Sequence, residues 1–145
     1  MRRSFSATCV VFSLFMLAPV AAAAHAEFDG TFDEVLVSGD GCQSVFNVTD
    51  YHTKHFLTGP TRRTSVLNFT DAASAGFFNG ISFIGLYGGS GDPFYDKDIT
   101  KDGWTYSVHA EGLLDRNVTV IEFDVTGFGP DDATCTASAT YSGFN

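Results

Sequence analysis

The stretch Thr134-Cys135-Thr136-Ala137-Ser138-Ala139-Thr140-Tyr141 alternates hydroxyl-bearing and apolar residues along its whole length. A period of two is typical of a β-strand with one buried face. The predicted inward side chains are those of Cys135, Ala137, Ala139 and Tyr141. The partner expected for Cys135 is Cys42, near the start of the mature chain, so most of the protein lies between these two cysteines.

The beginning of the chain has the features of a secretory signal peptide. Arg2 and Arg3 precede an apolar stretch at 10–20, and small residues follow as far as Ala24-His25-Ala26. A basic start, a short apolar centre and an A-x-A end define such a peptide, and this apolar stretch is too short to span a bilayer comfortably. We predict a signal peptide at 1–26 and a single secreted or periplasmic domain at 27–145. Cleavage after Ala24 is the alternative, and no membrane span is predicted in the mature chain.

Charge excludes one large class of partners. Removal of Arg2 and Arg3 leaves six Lys and Arg residues against 17 Asp and Glu residues, a formal net charge of −11. Such a surface repels phosphate backbones and anionic membranes, so we expect no nucleic-acid binding.

The mature chain keeps an even pair of cysteines, because Cys9 leaves with the signal peptide. In an oxidising compartment two such residues are expected to form a disulfide, here between Cys42 and Cys135. Their spacing does not fit a zinc site, which needs a second closely spaced ligand pair. The predicted role is therefore structural.

The rest of the mature chain predicts an all-β domain. β-branched and aromatic residues dominate, turn signals recur at short intervals, and helical periodicity is scarce. We expect a single antiparallel barrel or sandwich of about eight short strands. The predicted strands are 31–37, 42–49, 51–57, 65–70, 77–87, 104–110, 117–125 and 134–141.

Three of these expectations concern particular segments. The apolar run at 77–87 shows little alternation, which favours a strand covered on both faces. The segment from Asp92 to Gly103 is predicted to be a polar loop. The alternation of 117–125 slips between Val120 and Ile121, where we predict a β-bulge.

Candidate metal ligands are few and poorly spaced, and no cofactor is predicted. Asp96 and Asp98 begin a calcium-loop pattern, but Lys101 interrupts it and no late Glu follows. His52 and His55 are three residues apart, so on a regular strand they face opposite sides.

Cleavage after Ala24 would make His25 the first residue, whose α-amine and imidazole can bind copper together with His52, His55 or His109. In that one residue the chain is similar to secreted copper proteins with a β-sandwich fold.

Three N-x-T triplets occur, at Asn47, Asn68 and Asn117, each on a predicted outward face. In a eukaryotic secretory pathway these asparagines would accept glycans. Threonine-rich strands also generate such triplets by alternation alone.

No catalytic constellation is visible, so the sequence predicts a non-catalytic protein. The leading hypothesis is a binding module for a small apolar ligand, held inside the barrel as in lipocalin-type proteins, or for a protein partner. The chain lacks a lipocalin-like Gly-x-Trp near its first strand. The alternatives are a structural surface or appendage subunit, to which the last strand and Phe144 have a weak similarity, and a copper protein that uses His25.

Overall fold

The chain forms a closed β-barrel. The computed structural model describes residues 26–59, 61–87, 92–115 and 117–145, so the predicted signal peptide up to His25 lies outside the described residues. Eight antiparallel strands pair in chain order, and the last pairs back onto the first. They are β1 (Ala26–Ser38), β2 (Asp50–Thr58), β3 (Thr64–Thr70), β4 (Ser82–Tyr87), β5 (Pro93–Lys101), β6 (Trp104–Leu114), β7 (Val118–Phe128) and β8 (Thr134–Phe144). The all-β prediction is confirmed, and the fold is a barrel rather than a sandwich.

The two ends of the barrel differ in how the chain closes them. At the Ala26 end, β1 begins beside His55 of β2, and β8 finishes beside Asp29. At the opposite end, one 3₁₀ turn (Asp40–Cys42) follows β1 and another (Pro130–Asp132) precedes β8. Cys42 of the first turn is bonded to Cys135 at the start of β8, with a Cα–Cα distance of 5.5 Å. We call this the disulfide end, and the predicted disulfide is confirmed.

The predicted strand at 42–49 was wrong. Gly39 has a φ of 85°, a backbone conformation that favours glycine, and it turns the chain out of β1 into the 3₁₀ turn. Val45 and Phe46 are then buried as consecutive residues in a loop. Their apolar character comes from covering the disulfide end of the core rather than from strand alternation.

The predicted polar loop at 92–103 was also wrong, because most of it forms β5. Pro93 and Tyr95 point inward and are buried, while Asp96 and Asp98 point outward. The acidic residues belong to a solvent-facing strand surface. In turn, the strand predicted at 77–87 is shorter than expected, since β4 spans only Ser82–Tyr87.

The predicted bulge at Val120 and Ile121 was wrong as well. β7 pairs with β8 in unbroken register from Val118 to Phe128. Thr119 takes an inward position, where its hydroxyl donates a hydrogen bond to the Leu113 carbonyl at 3.0 Å. The observed irregularity lies in β1 between Asp33 and Leu36.

Aromatic rings fill the centre of the barrel. Phe32 lies 5.2 Å from Phe123 and 5.3 Å from Tyr141 between ring centroids. Phe69 lies 5.4 Å from Tyr141 and is fully buried. The inward face predicted for β8 is confirmed, and its alanines leave the space that these rings occupy.

Candidate binding surfaces

Three hydrogen-bonded polar side chains are buried inside the barrel, those of His55, Ser65 and Tyr95, and we call them the buried polar network. The Ser65 hydroxyl oxygen lies 2.5 Å from His55 Nε2 and 2.6 Å from the Tyr95 hydroxyl oxygen, and hydrogen-bonds to both. His55 and Ser65 are fully buried. Burial raises the pKa of Tyr95 to about 12, so its hydroxyl stays neutral at physiological pH. Ser65 therefore links His55 and Tyr95 through hydrogen bonds inside the barrel.

The histidines proposed as metal ligands lie in different places. His55 is inside the barrel, whereas His52 is on the outer surface of the same strand. His109 lies on the outer face of β6. His25, their proposed partner, lies outside the described residues. Among those residues, no group of three or more His, Cys, Asp or Glu side chains is placed to hold a metal ion.

Asp96 and Asp98 each pair with a residue on β6. The Asp96 carboxylate lies 2.6 Å from His109 Nδ1, and Ser107 donates to Asp98 at 2.6 Å. Their alternation, which resembled the start of a calcium loop, is the alternation of a strand.

His109 is surrounded by acidic groups on three strands. Asp96 of β5 and Asp124 of β7 are its partners across the sheet, and Glu111 on its own strand lies 3.8 Å from Nε2. The hydrogen bond with Asp96, supported by the negative charges of Glu111 and Asp124, raises the pKa of His109 above its ordinary value.

The three asparagines of the N-x-T triplets have different environments. Asn47 lies in the loop after the 3₁₀ turn and is exposed, and Asn117 is exposed just before β7. Asn68 lies outward on β3 but is half-buried.

Apolar side chains form a continuous band on the outer surface near the Ala26 end. Val66 pairs with Phe56 and with Ile84, and Leu86 pairs with Phe94. Ile84 and Leu86 are 60% and 57% exposed. The band ends at Leu113, two positions along β6 from Glu111, the partner of Phe94. We call these residues the outer strip: Phe56, Val66, Ile84, Leu86, Phe94 and Leu113.

A cleft of about 590 Å³ lies at one end of the outer strip. Phe94, Leu113 and Val120 form its apolar walls, and carboxylates of Asp92, Glu111 and Glu122 lie around it. The cleft therefore combines apolar side chains with three carboxylates.

A second concave surface crosses β1, β2 and β8. Phe144, Asp29 and His52 are successive neighbours across the strands, as are Ser142, Thr31 and Asp50 in the next row. Together with Asp71 and Ala72 they line a mainly nonpolar groove of about 540 Å³. We call it the β1–β2–β8 groove.

Sequence reasoning missed both surfaces. The sequence predicts that Ile84 and Leu86 lie in a strand covered on both faces and that Phe94 lies in a loop, and both predictions are wrong. The alternation of Phe83 and Gly85 with Ile84 and Leu86 was the available signal. It shows which residues share a face, but it does not show that the second face is exposed.

No protein-family model, curated protein sequence or solved structure matches this chain. In the part of the chain that the structure describes, no helix is long and apolar enough to cross a membrane.

Proposed function

We propose that this protein is an exported, non-catalytic binding module that engages a protein partner through the outer strip. The observation that carries the proposal is the continuity of exposed apolar side chains from Ile84 to Leu113. Single exposed apolar residues are common on soluble proteins, but contiguous apolar patches with a polar rim mark interaction sites.

The interior offers less support for the small-ligand hypothesis. Phe32, Phe69, Phe123 and Tyr141 are packed ring against ring where a lipocalin-type ligand would lie. The outer strip is therefore the better candidate for a binding surface.

The chemistry of the outer strip indicates the kind of partner. Its cleft has apolar walls, and the carboxylates of Glu111 and Glu122 are direct cross-strand neighbours. Because the mature chain carries a formal net charge of −11, a second copy would be repelled. A partner segment with apolar anchors beside lysine or arginine residues complements both features.

A role as an appendage subunit receives no support from the strand pairing. Strand exchange needs an unpaired sheet edge, and in the described residues β8 pairs with both β7 and β1. The proposed copper role depends on His25, for which the described histidines supply no converging set.

The experiment is selection of short random peptides displayed on phage against the folded, oxidised protein. We expect enrichment of sequences that combine apolar and basic residues. Their binding should shift the backbone NMR signals of Leu86, Phe94 and Leu113. The double variant Ile84→Thr/Leu86→Thr should weaken binding by about tenfold or more, since apolar anchors carry much of an interface's energy.

The matched control is Leu36→Thr, which removes an exposed apolar side chain that pairs with Ser138 on another part of the barrel. It should leave peptide binding unchanged. Peptides with no shared chemistry, or equal losses from the control and the strip variant, would overturn the proposal.

A further inference from the structure

We propose that the β1–β2–β8 groove binds the side chain of an arginine in a partner peptide, with the guanidinium between the groove carboxylates and the Phe144 ring. This site is separate from the outer strip, and its argument does not depend on the proposed function. It rests on the shape of the groove, on one exposed aromatic ring and on the sign of the charges around it.

The concave shape comes from small side chains between larger ones. Gly30, Thr31, Ser142 and Ala72 line the groove, while Phe144 stands at its edge. Thr31 and Ser142 are partners across the β1–β8 ladder, so the outward side chains in the middle of the groove are small. A mainly nonpolar groove of this size accommodates an aliphatic stem such as the three methylene groups of arginine.

Phe144 supplies a flat ring that little else in the described structure covers. Its side chain belongs to the penultimate residue of the chain, and the residue is 64% exposed. Guanidinium groups stack on aromatic faces and are attracted by their π-electrons. The ring therefore favours a planar cation over a compact ammonium.

The ionisable groups that line the groove are carboxylates, apart from His52. Asp29 accepts a hydrogen bond from His52 Nδ1 at 2.9 Å, and both residues line the groove. Asp50 is exposed in the neighbouring row. These positions present acceptors to a group that carries several N–H donors in one plane.

Asp71 adds a fixed charge at the end of the groove. Its carboxylate accepts hydrogen bonds from the Gly76 N–H at 2.7 Å and the Ala75 N–H at 3.1 Å. Burial alone would raise the pKa of Asp71, but these backbone donors hold the pKa below its ordinary value. The negative charge is therefore held in place by a turn rather than by a mobile side chain.

The test is an NMR titration of the oxidised protein with N-acetyl-arginine amide, paired with N-acetyl-citrulline amide. Citrulline has the same length and a planar end group but no charge. We expect the arginine compound to shift the backbone signals of Gly30, His52 and Ser142, and the citrulline compound to bind at least about fivefold more weakly.

Two variants examine the separate contributions. Asp50→Asn and Phe144→Ala should each weaken binding of the arginine compound by about fivefold. Both residues are exposed, so the fold should persist, and the dispersion of the NMR spectrum checks this. Asp131→Asn is the charge-matched control, since Asp131 is exposed at the disulfide end.

Equal shifts from arginine and citrulline would overturn the proposal, as would equal losses from Asp50→Asn and Asp131→Asn. The outer-strip variant Ile84→Thr/Leu86→Thr should leave arginine binding unchanged. The two proposals can therefore fail independently.

Discussion

Acidic neighbours favour the charged form of His109. Asp96 from β5, Asp124 from β7 and Glu111 from β6 face the imidazole. The hydrogen bond to Asp96 stabilises the imidazolium, so the pKa in the folded protein lies above the ordinary 6.5. Folding is therefore favoured by protonation of this group.

Asp96→Asn should lower the pKa of His109 toward 6.5, the ordinary value. The stabilising contribution is fully present below the unfolded-state pKa and is lost as the pH rises through the higher folded-state pKa. The stability difference between the wild type and the variant should thus be larger at about pH 5 than at about pH 9. Proton NMR titration and thermal unfolding measure the two effects. Asp98→Asn, which loses a serine partner instead, should leave the His109 titration unchanged.

Ser65 is the central residue of the buried polar network. Ser65→Ala removes the hydroxyl that both His55 Nε2 and the Tyr95 hydroxyl contact. We expect a loss of about 1–3 kcal/mol in the free energy of unfolding, because buried polar groups are costly when a partner is removed. Urea denaturation measures it.

Ser107→Ala is the control, because Ser107 makes its hydrogen bond to Asp98 on the exposed surface. Its cost should stay within about 0.5 kcal/mol. Equal losses in the free energy of unfolding for the two serine variants would show that the buried polar network adds no more stability than a surface hydrogen bond.

At the scale of elements, β1 and β8 meet with almost no space between them. A Cβ on Gly30 would lie 2.5 Å from the Tyr141 ring and 2.6 Å from the Ser142 carbonyl oxygen. The glycine is needed because Tyr141 occupies the inward space that a side chain at position 30 would take. The Tyr141 hydroxyl also donates a hydrogen bond to the Tyr51 carbonyl at 3.0 Å.

Gly30→Ala should therefore destabilise the protein by about 1–3 kcal/mol through overpacking. Ser142→Ala, an outward-facing change on the neighbouring strand, should cost less than about 0.5 kcal/mol. Denaturant melts of both variants provide the comparison. An unchanged midpoint for Gly30→Ala would mean that Tyr141 moves aside freely.

Seven of the eight strands could be predicted, six from their alternation and β4 from its apolar run. β8 is the clearest case, with Cys135, Ala137, Ala139 and Tyr141 inward as expected. β5 could not be recognised, because Asp96, Lys97 and Asp98 are consecutive charged residues and its composition resembles a loop. The strand predicted at 42–49 was wrong for the opposite reason, since Val45 and Phe46 are apolar but do not lie in a strand.

The candidate surfaces depend on pairing between distant segments, which no local pattern reveals. Leu86 meets Phe94 only because β4 pairs with β5 in that register. Asp29 and Phe144 come from opposite ends of the described part of the chain and become neighbours when the barrel closes. The disulfide, by contrast, could be predicted, because just two of the three cysteines follow the predicted signal peptide.

At the scale of the whole molecule, the disulfide joins two points that are 93 residues apart in the chain. A loop of that length constrains the unfolded chain strongly, by about 4–5 kcal/mol in the chain-entropy description. Both cysteines are buried, so the bond also lies within the packed core.

Cys135→Ser should therefore reduce folding yield rather than a specific binding activity. The double variant Cys42→Ala/Cys135→Ala avoids burying a new hydroxyl, and its melting temperature should fall by more than about 10 °C. Calorimetry of the oxidised, reduced and double-variant proteins measures the effect. A melting temperature that does not change on reduction would contradict the structural role.

Because β8 pairs with β1, the barrel is closed, and the fold does not require β1 to be the first strand in the sequence. The end of β8 lies beside the start of β1, so a short linker can join them without crossing the barrel. New termini can then be placed in the turn between β5 and β6, at Asp102 and Gly103, where the chain is exposed. Such a circular permutant should keep all the strand pairs and lose only the covalent connection between β5 and β6. Its disulfide would close a much shorter loop through the linker, and would therefore stabilise the permutant less.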